Sequence, residues 1–146
     1  MRVRSRVRAA ARRPEKLRKW GATVETLLLQ DWVTIDGNVN VASVTQGADT
    51  WLDVADHEDL LFYLEVKQFA NAPLMNYETA PIREERSFLP VITPFTVATG
   101  VRADPALFAY ALTPPARHVR WRVASSNLTL TWNITFRIWL AGYSLG

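Results

Sequence analysis

The chain has no cysteine, and its 146 residues include two histidines and six glycines. Without cysteine it can form neither disulfide bonds nor thiolate metal sites. The sequence also contains no G-x-S-x-G, no H-E-x-x-H and no glycine-rich phosphate-binding motif. These absences remove common signatures of hydrolases, zinc enzymes and nucleotide-binding enzymes. We therefore expect a protein that is not an enzyme and that holds no cofactor.

Long hydrophobic runs are absent as well. No stretch approaches the roughly 18 apolar residues of a membrane-spanning helix, and the N-terminal segment lacks the continuous apolar core of a secretory signal. We expect no membrane partner. The length fits one domain that can bury a sizeable core.

Positive charge is concentrated at the N-terminus. Residues 1–19 hold nine Lys or Arg and one acid, a net charge of +8, whereas residues 20–146 have a net charge of −5. The sequence RVRSRVR alternates Arg with Val, and PEKLRKW is compatible with a short helix that begins at Pro14 and ends at Gly21. We predict an extended basic arm over residues 1–22 that contacts a negatively charged partner; a disordered tail is the alternative. Its expected contact residues are Arg2, Arg4, Arg6, Arg8, Arg12, Arg13, Lys16, Leu17, Arg18, Lys19 and Trp20.

From residue 23 onwards the pattern is that of β-structure. Apolar residues alternate from Leu60 to Val66 and again from Leu128 to Leu140, which is typical of half-buried antiparallel strands. Pro90 and Pro94 indicate an edge strand or an interrupted strand. About eight strands separated by turns, with no long helical pattern, predict a single antiparallel β-sandwich or jelly roll over residues 23–146.

The stretch HVRWRV raises a question about one face of that sandwich. Alternation places Val119 and Trp121 in the core and directs His118, Arg120 and Arg122 outward. The favoured interpretation is a solvated sheet face paired with acids on a neighbouring strand, and a sugar or phosphate site is the alternative. Arg120 and Arg122 are therefore candidate surface contacts.

Six tryptophans are many for this length. Trp121 and Trp132 fall on core faces, and core packing explains most of the six. Trp139 falls on the outward face of the last strand. We expect Trp139 and Trp20 to contact a neighbouring protein rather than a sugar.

Acidic residues cluster in two predicted loops. Asp53, Asp56 and Asp59 offer oxygen ligands for Ca²⁺, but they lack the spacing and the glycine of a calcium-binding loop, so no metal site is assigned. Glu84 and Glu85 are adjacent. A glycosidase needs two carboxylates across a cleft, and we interpret both groups as solvated loops without a catalytic role.

The order of the pieces resembles a known group of proteins. TWLDV, FYLEV, NYETAP, FLPV, PARHVRWRV and TFRIWLAG follow one another over residues 48–141. This order is similar to small β-sandwich proteins of bacteriophage and prophage structural modules, which occur as capsid decoration proteins and as parts of tail or head fibres. The resemblance implies a jelly-roll fold and a place in the virion. It does not include the basic arm, and related sandwiches also serve as carbohydrate-binding modules.

Together these features favour a non-enzymatic virion structural protein that is made in the bacterial cytoplasm. We expect a capsid decoration (cement) or minor capsid protein whose arm docks on the major capsid protein or another virion protein. The sandwich would associate with copies of itself around a symmetry axis. A carbohydrate-binding module of a tail or head fibre is the alternative function. Nucleic acid is a less favoured partner of the arm, because the rest of the chain is acidic and such binding would be non-specific and salt-dependent.

Overall fold

A computed structural model describes residues 22–91, 95–97, 106–112 and 116–145. Within these ranges the chain forms strands and two short 3₁₀ turns, Ala48–Thr50 and Glu85–Ser87. None of the described segments forms a longer helix. The all-β prediction is confirmed. The strands are β1 (Ala22–Gly37), β2 (Ser43–Thr45), β3 (Leu52–Asp53), β4 (Asp59–Ala70), β5 (Leu74–Ala80), β6 (Leu89–Pro90), β7 (Phe95–Thr96), β8 (Ala106–Leu112), β9 (His118–Ala124) and β10 (Trp132–Leu145).

The strands form two antiparallel sheets. One sheet has the order β1-β10-β4-β8; the other has the order β2-β9-β5-β6, and β3 also pairs with β9 and β7 with β5. When β2 with β3, and β6 with β7, each count as one interrupted strand, the described residues contain eight strands. Their order is then first-eighth-third-sixth in one sheet and second-seventh-fourth-fifth in the other. This is the jelly-roll arrangement of two interleaved Greek keys, as predicted.

The core lies between the sheets. The alternating apolar residues of β4 and β10 face inward, and aromatic rings join the two layers. Phe62 of β4 stacks on Tyr77 of β5 with 4.1 Å between ring centroids. Trp121 of β9 and Phe136 of β10 form a T-shaped pair with 5.0 Å between ring centroids. The inward orientation predicted for Val119 and Trp121 is confirmed, since they are 0% and 3% exposed.

The last strand differs from its prediction at both ends. Leu128 and Leu130 are 65% and 42% exposed, so their predicted place on the core face is wrong. They lie in a turn in which the Asn127 side chain accepts hydrogen bonds from the Thr129 amide and hydroxyl, at 3.0 and 2.7 Å. Such a local bond competes with strand pairing. The strand begins at Trp132 and continues to Leu145, where it pairs with the start of β1.

The proline prediction is confirmed for Pro90. It ends the short β6, and pairing with β5 resumes only at β7. Pro94 lies outside the described residues, as does the whole segment 1–21 with its predicted arm and short helix.

Candidate partner-binding surfaces

An aromatic and charged cluster occupies the outward face of the four-stranded sheet. Alternation along β10 places Arg137 and Trp139 outward, because Ile138 and its neighbours of the same parity fill the core. Pairing with β4 then sets Glu65 opposite Arg137 and Tyr63 opposite Trp139. The predicted outward orientation of Trp139 is confirmed, and its ring is partly exposed.

Arg137 is the centre of this cluster. Its Nε donates to Glu65 Oε1 at 2.7 Å, and its guanidinium carbon lies 4.7 Å from the centre of the Trp32 ring and 5.3 Å from that of Trp139. Lys67 Nζ lies over Trp32 as well, at 4.8 Å. Cation–π contacts at such exposed positions contribute about 0.5–1 kcal/mol each. The cluster is therefore a fixed surface in which the cations hold the tryptophan rings in place.

Of this cluster, sequence reasoning singled out Trp139 alone. Tyr63 and Glu65 alternate with the buried residues of β4, so the same pattern that located the core also indicated their outward position. No alternation in the sequence indicates that Trp32 faces outward, because the pairing register of β1 against β10 shifts between Leu28 and Val33.

The outward face of β9 is not the solvated surface that we expected. Arg120 is 4% exposed and His118 is 6% exposed, so the prediction that they reach solvent is wrong. The guanidinium carbon of Arg120 lies 4.0 Å from the centre of the Phe88 ring and 5.2 Å from that of the Trp51 ring, and these two rings also pack against each other. The turn Glu85–Ser87 and the residue that follows it fold over this face and cover it. Arg120 is thus not a surface contact in this fold.

Pairing with acids was predicted correctly, and it is tight. Arg120 faces Glu78 across β9 and β5. Its Nε and Nη2 donate to Glu78 Oε1 at 2.8 and 2.7 Å, and its Nη1 donates to Glu85 Oε1 at 2.9 Å. Glu78 is itself 4% exposed. Two opposite charges removed from water in this way form a structural pair, and sequence reasoning did not single out Glu78.

Arg122 keeps the predicted outward position. Its side chain is 46% exposed and reaches Ser43 Oγ at 3.2 Å and Glu78 Oε2 at 3.8 Å. It remains a candidate surface contact, and no finding tests whether it meets a partner.

The acidic segment before β4 forms an ion pair with Arg117. Arg117 Nε and Nη2 donate to Asp53 Oδ2 at 3.0 and 2.9 Å. This bond, with a second from the Ala55 amide, lowers the pKa of the Asp53 carboxyl below its usual value. Asp56 and Asp59 do not complete a metal site with it: within the described ranges, no three His, Asp or Glu side chains converge in a way that could hold a metal ion.

The other histidine, His57, contacts the beginning of β1. His57 Nε2 lies 2.9 Å from Glu25 Oε1, and the histidine side chain is 7% exposed. A Cβ at Gly142 would collide with the His57 ring, so the glycine allows the imidazole to pack against β10. This contact anchors the strand that directly follows the basic segment.

The predicted arm contacts cannot be placed. Arg2 through Trp20 lie outside the described residues. Among the residues that are described, no helix is long and apolar enough to span a membrane.

Comparisons with known proteins give two structural likenesses and no family. No family model and none of the curated proteins matches the chain. Among solved structures, the chain is similar to the K1 cleaved adhesin domain of Lys-gingipain from Porphyromonas gingivalis W83, with 11% identity over 81% of this chain and 97% of that one, at a TM-score of 0.44. It is also similar to a chain in the structure of infectious bursal disease virus, Gx strain, with 14% identity over 86% of this chain, at a TM-score of 0.46. This chain spans 34% of that viral chain.

At these scores neither likeness carries an argument about function. The β-sandwich implied by the resemblance is present in the strand topology. Membership of a phage family stays a prediction.

Proposed function

We propose that the chain is a non-enzymatic structural subunit of a phage-like virion, either a capsid decoration (cement) or a minor capsid protein. The observation that carries the proposal is the position of the basic segment, which directly precedes an edge strand of an acidic body. A segment with a net charge of +8 leads directly into β1, an edge strand of a jelly roll whose remaining sequence is acidic. One chain thus carries a basic segment and a folded body of opposite charge, which favours attraction between neighbouring copies or subunits.

The reach of the basic segment suits a lattice. Nineteen extended residues span at most about 60–70 Å, which is longer than β1 itself. The arm would contact the major capsid protein or a neighbouring copy, and each sandwich would pack beside others around a symmetry axis. Weak contacts repeated over a shell stabilise it through multivalency, even where one copy binds poorly.

The charged groups of the body support a structural role over a catalytic one. The buried carboxylate of Glu78 is held by Arg120, and that of Glu65 by Arg137. Each is thus already paired within the fold. A general acid or base needs a carboxyl group that can reach a substrate.

The proposal is tested by adding the protein to particles that lack it. We compare the full chain with a variant in which Arg2, Arg4, Arg6 and Arg8 become Gln, and we measure the temperature at which the shells release DNA. The control removes three exposed charges from the body outside both candidate surfaces, with Arg83, Arg86 and Arg117 replaced by Gln. We expect the wild-type protein and the control to raise the release temperature and the arm variant to lose most of that rise.

Other outcomes reject the proposal. If no protein binds the shells, or if the arm variant protects as well as the wild type, the arm is not a cement. If the arm binds free DNA but not intact shells, with an affinity that falls steeply as salt rises, the protein acts on nucleic acid.

A second candidate is favoured by one observation. Trp139, Tyr63 and Trp32 form a partly exposed aromatic surface on the outward face of the four-stranded sheet, and such surfaces stack on sugar rings in carbohydrate-binding modules. A glycan array with the wild type, Trp139→Ala and the control Leu130→Ala distinguishes the two functions. Glycan binding that is lost only in Trp139→Ala would favour a fibre module; no glycan binding in any of the three would leave the cement proposal in place.

A further inference from the structure

The geometry points to β1 as an acceptor for the arm. We propose that residues 2–8 of a second copy of this chain add as a strand to the outer edge of β1, so that copies are tied together by exchanged arms. The inference rests on the proposed function, because it names the partner of the arm within an assembly of copies.

No strand in the part of the chain that the structure describes covers the outer edge of β1. β1 ends the four-stranded sheet and pairs on one side with β10, and none of the other described strands joins it from the opposite side. Only the irregular middle is satisfied locally: Gln46 Nε2 donates to the Leu29 carbonyl at 2.9 Å, and the Trp32 amide donates to Asp31 Oδ1 at 2.8 Å. The regular parts on either side, residues 22–28 and 33–37, have no partner strand on this side among the described residues.

That edge carries none of the basic residues or prolines that often block strand addition. Natural edge strands carry Lys, Pro or strong charge to prevent pairing with other chains. β1 contains no Lys, Arg or Pro over its 16 residues, and Val24 and Leu28 are 56% and 39% exposed. The charges that it does carry are acids, which would repel a second acidic strand but not a basic one.

Charge distinguishes β1 from the other edge of the same sheet. β1 carries three acids, Glu25, Asp31 and Asp36, and no base, whereas β8 at the opposite edge carries no charged residue. Asp31 and Asp36 are exposed. A basic strand would therefore be attracted to β1 and not to β8.

The arm has the pattern that such an edge accepts. Arg2, Arg4, Arg6 and Arg8 alternate with Val3, Ser5 and Val7, so an added strand would present all its arginines on one face and its valines on the other. Backbone hydrogen bonds to the open edge would hold the strand, and the alternating side chains would select it.

A second copy fits this edge better than the chain's own arm. Residues 9–21 separate the Arg-Val segment from β1, and they include Pro14. Pairing within the chain would close a hairpin loop of thirteen residues, whereas hairpin loops usually contain two to five. An arm from a neighbour needs no such loop.

The absence of cysteine allows a direct test on the full chain. We prepare Val7→Cys in unlabelled protein and Thr26→Cys in nitrogen-15-labelled protein, mix them under mild oxidation, and identify the disulfide-linked peptides by mass spectrometry. The control mixes Val7→Cys with Asp49→Cys, an exposed position in the turn Ala48–Thr50. We expect the link between positions 7 and 26 to exceed the control link at least tenfold and to fall to the control level in 1 M salt, where charges are screened beyond about 3 Å.

Charge reversal at the edge gives a second measurement. Asp31→Lys, added to the Thr26→Cys chain, should lower the yield of the link at least fivefold, because Asp31 lies five residues from Thr26 and within the length of the added strand. Asp49→Lys makes the same charge change away from the edge and should leave the yield unchanged. Equal yields at positions 26 and 49 would overturn the proposal. So would a double variant Val7→Cys/Thr26→Cys that links only within one chain in mixed-isotope samples, since the arm would then lie on its own β1.

The two proposals can fail separately. If the link does not form while the protein still protects shells through its arm, the acceptor is a different virion protein. If the link forms but the protein does not bind shells, arm exchange is correct and the virion role is wrong.

Discussion

The pair formed by Arg120 and Glu78 offers the sharpest prediction about the fold. Replacing Arg120 by Met removes the charge and leaves a long apolar side chain beside Phe88. Glu85 is 73% exposed and can turn to water, but Glu78 is 4% exposed and cannot. After the substitution its nearest cation is Arg122, with Nη1 at 3.8 Å from Oε2.

The expected cost follows from that stranded carboxylate. Removing one partner of a buried ion pair costs about 3–5 kcal/mol, against a total unfolding free energy of about 5–15 kcal/mol for a typical domain. Arg120→Met should therefore lose about a fifth of the stability or more. Arg120→Met/Glu78→Met removes both charges and should recover most of the loss, because a well-packed apolar pair is often as stable as the ions.

Urea unfolding followed by tryptophan fluorescence measures these differences. The matched control is Arg122→Met on the same face of the same strand, where a half-exposed arginine should be worth about 1 kcal/mol or less. The reasoning is refuted if Arg120→Met costs less than about 1 kcal/mol, or if the double variant is no more stable than the single one. Either result would mean that water reaches Glu78.

Further predictions concern a glycine and two titrating groups. Gly37→Ala places a Cβ within the buried Trp132 ring, so we expect a loss of about 1–3 kcal/mol or more in urea unfolding. Burial raises the pKa of Tyr77 above its usual 10.0, so above pH 10 the unfolded chain loses a proton that the native chain keeps. The free energy of unfolding should therefore fall with rising pH by up to about 1.4 kcal/mol per pH unit more in the wild type than in Tyr77→Phe. Urea unfolding midpoints between pH 9 and 11.5 measure this difference. Arg117 lowers the pKa of Asp53 below 3.8, so the stability from this pair is present above pH 3.8 and is lost as the pH falls below it. Asp53→Asn should flatten the acid side of the stability profile, and an unchanged profile would show that the bond is absent in solution.

The strands of the sandwich could be predicted where one face is buried and the other is not. The alternation in β4, β9 and β10 is such a case, and it correctly located Phe62, Trp121 and Phe136 in the core. The same alternation gave a wrong prediction at Leu128 and Leu130, because leucines at every second position also occur in this turn. Only the partner strand, β1, shows where β10 begins and ends.

The candidate surfaces were harder to predict, for a related reason. Alternation indicates which face of β9 carries Arg120, but it cannot show that residues after β5 fold back and cover that face. The outward cluster around Arg137 needed the cross-strand register that brings Glu65 and Tyr63 beside it. The open edge of β1 follows from strand order, which depends on contacts far apart in the sequence and leaves no local pattern.

The location of the protein tests the central claim most directly. Cryo-electron microscopy of particles purified from the culture that makes the protein would show where the jelly roll lies. We predict density for this sandwich at regularly repeated positions on the shell, with residues 2–8 running along the β1 edge of a neighbouring copy. Particles without this density, or with it only at a tail tip or fibre, would contradict the account.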